Sequence, residues 1–102
     1  MKLLTKEILE KLPALGTTAE KTAEDIPVIV KFFDPCSQWT WYATEYDSES
    51  KVFFGLVYGF EVELGYFSLA ELESYQGNWG LGIERDMHFG KHTLKEVLDK
   101  RL

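Results

Sequence analysis

Two short acidic runs hold the residue types closest to chemistry. Glu61 and Glu63 lie in GFEVELG, and Glu84, Asp86 and His88 lie in IERDMHF. Each run spaces its polar groups two apart, which puts them on one face of a β-strand. If the two strands shared a sheet with matched faces, these groups would project together, and Glu45 could join them from another strand. Carboxylates with an imidazole suit Mg²⁺ or Mn²⁺, and two-metal nucleases use such sets. The plainer reading is a solvated sheet face, because charged side chains are mostly exposed. A further reading is a binding surface. Carboxylates crowded on neighbouring strands repel one another, and a basic partner would neutralise them.

Other chemistry finds less support. His88 and His92 flank a strand end and lack the helical geometry of a metal-binding pair. Cys36 follows Pro35 in a turn beside Asp34, an acidic setting that disfavours a thiolate nucleophile. There is no G-x-S-x-G elbow and no phosphate-binding glycine loop. Trp39 and Trp41 share a strand face, and one of them could anchor an interface although tryptophan is usually buried. The partner-binding candidates are therefore Trp39, Trp41, Glu45, Glu61, Glu63, Glu84, Asp86 and His88. No catalytic residue, metal ligand or cofactor is assigned.

The elements that must position these groups follow from periodicity. Leu4, Ile8, Leu9 and Leu12 fall on one face of a short helix, capped by Thr5 and ended by Pro13 and Gly16. GTTAEKTAED reads as a loop, and residues 26–33 as a strand ended by the turn Asp34-Pro35-Cys36-Ser37. Strands are expected at 39–46, 52–58 and 60–66. In the last of these Phe60, Val62 and Leu64 are expected in the core, with Glu61 and Glu63 facing outward. Ser68 and Glu71 open a helix to about Tyr75, residues 83–89 form a fifth strand, and Thr93 and Glu96 open a final helix. The order is α-β-β-β-β-α-β-α. It describes one α+β domain with a mostly antiparallel sheet and helices on one face or at its ends.

Charge sharpens the choice among functions. Residues 40–89 hold nine acidic and two basic groups, while the rest holds eight acidic and nine basic, for a net charge of −6. The acidic field therefore belongs to the sheet region. That argues against binding a nucleic-acid backbone and for a partner with a basic surface. No apolar run is long enough to span a bilayer, and Glu7 and Glu10 interrupt the leading leucines, so no signal peptide is expected. With a single cysteine, the expectation is a cytoplasmic protein without disulfides. An edge strand or an exposed tryptophan leaves room for a homodimer.

The runs WTWYATEYD, FFGLVYGFEVELGYFSLAELE and GIERDMHF, with the opening MKLLTKEILEKLPALG, resemble a family of small bacterial proteins known as a domain of unknown function. The resemblance covers about residues 1–98. It implies a setting on plasmids, phages and integrative elements, alone or fused within long proteins that accompany transferred DNA. A part in countering host defence follows from that setting. The family brings no established catalytic residues. Three functions stay open: an acidic module that occupies a basic site on a host nuclease, a metal-dependent hydrolase or nuclease using the carboxylates and His88, and a structural accessory domain.

Overall fold

Five antiparallel strands form the main sheet of the computed structural model, which describes residues 2–102 apart from the side chain of Asn78. The elements are α1 (Lys6–Lys11), β1 (Pro27–Val28), β2 (Val30–Phe33), β3 (Thr40–Asp47), β4 (Val52–Tyr58), β5 (Val62–Ser68), α2 (Leu69–Ser74), β6 (Glu84–Arg85), β7 (His92–Thr93) and α3 (Leu94–Lys100). The sheet order is β5-β4-β3-β2-β6, and β1 pairs with β7 in a separate two-stranded ribbon. This is the expected α+β architecture, with two refinements. The strand anticipated over residues 26–33 divides at Ile29, which leaves Pro27 in the small ribbon, where a missing donor does little harm. The strand anticipated over residues 83–89 shortens to Glu84–Arg85.

Helix starts follow local chemistry. The Thr5 and Ser68 hydroxyls accept from the backbone N–H of Ile8 and Glu71 at 3.2 and 3.3 Å. Thr93 and Glu96 form a complete reciprocal box at α3. Helices cover both faces of the sheet and not one face or its ends as expected, because each face carries its own apolar set. On one face α1, α2 and the N-terminal segment bury Leu3, Phe32, Ala43, Tyr46, Phe53 and Leu72. On the other, α3 and the β1–β7 ribbon bury Val28, Tyr42, Leu56, Tyr58 and Val97.

A bulge in β3 sets which residues face which core. Ala43 pairs with Gly55 but Glu45 pairs with Phe54, so Thr44 is the extra residue. The strict alternation expected along residues 39–46 placed Glu45 with Trp41 and Ala43. Beyond the bulge the phase inverts, so Tyr46 joins Ala43 in the first core and Glu45 turns to the opposite face.

β5 departs further from expectation. Val62 and Leu64 are half-exposed and Phe60 is 94% exposed, so none of the three belongs to the core. Alternation of apolar and acidic residues marked a strand here but two residues early, and β5 is the last strand of the sheet, with Val62 and Leu64 outside both cores.

Candidate functional site

Register places each acidic residue. One row of cross-strand neighbours runs Arg85, Phe32, Trp41, Val57, Glu63 across all five strands. The next row, on the opposite face, runs Glu84, Phe33, Thr40, Tyr58, Val62. Glu63 and Glu84 thus occupy opposite edges and opposite faces, four strand spacings or roughly 19 Å apart. The expected convergence of Glu61, Glu63, Glu84, Asp86 and His88 does not occur. Asp86 instead lies beyond the end of β6, 3.5 Å from the Lys31 ammonium, and accepts from the backbone N–H of His88 at 2.9 Å. His88 itself is exposed. Among the described residues no group of three or more His, Cys, Asp or Glu could hold a metal ion.

Glu45 is not a surface group either. It is 3% exposed, and its carboxylate accepts from the backbone N–H of Gly16 at 2.8 Å and of Thr18 at 2.7 Å, and from the Thr18 hydroxyl. Burial raises its pKa, and these donors outweigh burial and hold it below the ordinary carboxylate range. Its role is to fasten the loop after α1 to the sheet.

Trp39, Trp41, Glu61 and Glu63 do come together. The two indoles stack at 5.9 Å between centroids, and Phe60 meets Trp39 edge-on at 5.3 Å. This packing needs Gly59, because a Cβ there would stand 2.3 Å from the Trp39 ring. Trp39 is a wall common to two cavities. One, of about 340 Å³, has Trp39, Trp41 and Leu72 as apolar lining and Asp34, Glu71 and Tyr75 as polar lining. The other, of about 220 Å³, runs from Trp39 past Phe60 to Glu61 and Glu63. Together they form an aromatic groove with carboxylates at both ends.

Asp34 is the group in this groove that sequence reading passed over as a turn residue. It is 4% exposed and accepts from the Cys36 backbone N–H and the Ser37 hydroxyl, each at 2.9 Å, and from the Tyr75 phenol. Burial pushes its carboxyl up, but the hydrogen bonds from Cys36, Ser37 and Tyr75 prevail and hold it below its ordinary value. The bond to Asp34 in turn raises the Tyr75 phenol. Only the Asp-Pro-Cys-Ser turn was visible in the sequence, and nothing there points to Tyr75, which reaches Asp34 from the end of α2. The groove thus offers π-faces beside carboxylates, a combination that attracts cations.

The chain belongs to the family described as protein of unknown function DUF2958, whose model matches residues 3–100. No curated protein and no solved structure matches it significantly. No helix among the described residues is long and apolar enough to cross a membrane.

Proposed function

We propose that the protein is a non-enzymatic binding module that captures a basic protein surface in the groove around Trp39. One observation carries this reading: Trp39 is shared by two cavities whose carboxylates, Asp34 and Glu71 on one side and Glu61 and Glu63 on the other, flank an aromatic centre. Lysine and arginine side chains are the groups that gain from both π-faces and carboxylates. The excess of acidic residues over residues 40–89 supports the same sign of partner. The mobile-element setting implied by the family resemblance supports a particular class of partner, a host defence nuclease whose nucleic-acid-binding surface is basic. The module would then act as a counter-defence inhibitor. A metal-dependent hydrolase has less in its favour, because Glu61 and Glu63 lie at one edge of the sheet and Glu84, Asp86 and His88 at the other.

The test is binding to purified defence nucleases, with DNA as competitor. Trp39→Ala and the double change Glu61→Ala/Glu63→Ala are each expected to weaken capture by tenfold or more, the loss of a hot-spot contact of about 2 kcal/mol. Glu84→Ala and Asp86→Ala, on the far edge, are expected to leave capture unchanged. Equal effects at both edges, or none at Trp39, would discard the groove as the site. A second reading, an accessory domain docked against a larger protein, is supported by the exposed apolar residues of β5.

A further inference from the structure

β5 pairs with β4 along its whole length and ends the sheet on its other side. Its ladder runs without a bulge from Ser68 opposite Val52 to Val62 opposite Tyr58. Val62, Leu64 and Tyr66 alternate along one face and are 53, 52 and 69% exposed. Proteins usually protect such an edge with lysine, proline or a bulge, and VELGYFS holds no lysine and no proline. A regular edge with an apolar stripe is a template for one more strand. Charge selects which strand. Glu63 projects from the other face of β5, Glu61 lies just before it, and the net charge of −6 repels a second copy of the chain.

We infer that β5 receives an extended segment of a partner protein in which apolar residues alternate with lysine or arginine. The apolar side chains cover Val62, Leu64 and Tyr66 on one face, and the basic ones reach Glu61 and Glu63 on the other. The sign of the partner's charge rests on the function proposed above, whereas strand addition rests on the edge itself.

The probe is a synthetic octapeptide alternating lysine with valine, added to the full chain and followed by amide hydrogen exchange and tryptophan fluorescence. Strand addition is expected to slow exchange at the alternate amides of residues 62–67 that point away from β4 by roughly tenfold at saturation, with little change in β3, already paired on both sides. Leu64→Glu separates the stripe from simple attraction, because it adds negative charge while breaking the apolar face. Weakening by about fivefold supports strand addition, and tightening overturns it. Glu63→Lys, on the opposite face, is expected to reject the lysine peptide and admit its glutamate–valine counterpart; unchanged preference counts against the inference. A fluorescence response without protection at β5 places the peptide in the groove, which overturns strand addition and leaves the proposed function standing. No response of either kind counts against both. Protection of β5 that grows with protein concentration in the absence of peptide makes a second copy the occupant and also overturns the inference.

Discussion

Thr18 donates both its backbone N–H and its hydroxyl to the same carboxylate oxygen of Glu45. With Gly16 on the other oxygen, the carboxylate satisfies donors of a loop that has little secondary structure of its own. Glu45→Ala leaves these donors unpaired and is expected to cost roughly 2–3 kcal/mol. The pH dependence has a definite sign. Glu45 is held below its ordinary 4.5 in the folded chain, so the unfolded chain takes up the proton first as pH falls. Its contribution is complete above about 4.5 and is lost as pH drops through the folded value. Urea midpoints between pH 7 and pH 3 should therefore fall less steeply for Glu45→Gln than for the parent; parallel curves would contradict this.

Tyr42 behaves in the opposite sense at the alkaline end. Its phenol donates to the backbone oxygen of Leu102 at 2.6 Å and its ring packs edge-on against Tyr58. Burial, then the neighbouring Tyr58, pushes it up to about 12 from 10.0. The unfolded chain loses this proton first, so stability from the phenol is complete below pH 10 and is lost as pH rises towards 12. Tyr42→Phe is expected to cost about 0.5–1.5 kcal/mol at neutral pH and to remove that alkaline loss. Denaturation followed at pH 8 and pH 11 distinguishes the two proteins.

Gly55 and Gly65 face each other across β4 and β5, yet alanine should affect them very differently. At Gly55 a Cβ would lie 1.9 Å from the carbonyl oxygen of Tyr42, backbone that cannot move aside. At Gly65 a Cβ meets nothing within 4 Å. Gly55→Ala is expected to destabilise by about 3 kcal/mol, and Gly65→Ala to stay within about 0.5 kcal/mol of the parent. Thermal melts of the two variants decide it; equal melting temperatures would mean that β3 and β4 approach less closely than described.

The contrast between these glycines also marks how far the sequence could be read. Periodicity found the strands and side-chain chemistry found the caps, because both are local: Thr5, Ser68 and Thr93 bond within three residues of themselves. Glu45, Glu63 and Glu84 were recognised as strand-borne for the same reason, whereas Glu61 and Asp86 fall just outside their strands. Their grouping was not legible, because it depends on strand order, and Glu63 and Glu84 carry no mark of the edge each occupies. Alternation in β5 could not reveal that Leu64 would stay half-exposed, since the pattern specifies two faces and not what covers them. Trp39 and Trp41 were identified from their shared face. Asp34 and Tyr75 were missed as part of the same groove, because their bond joins a turn to the end of a helix far along the chain.

Thr44 supplies length as much as chemistry. It is buried, and its hydroxyl donates to the carbonyl of Phe54 at 3.1 Å, so Thr44→Val should cost about 1 kcal/mol and leave the fold intact. Deleting the residue is a different kind of change. It would make the β3–β4 ladder continuous and, in doing so, turn one end of β3 inside out, sending either Tyr42 or Tyr46 to the wrong core. For this strand a one-residue indel is therefore expected to be far more disruptive than any polar-for-apolar swap at the same site, and the dispersion of a proton NMR spectrum would show it at once. The counting of residues between Tyr42 and Tyr46 is itself an inherited instruction, as binding on the chain as the identity of either tyrosine.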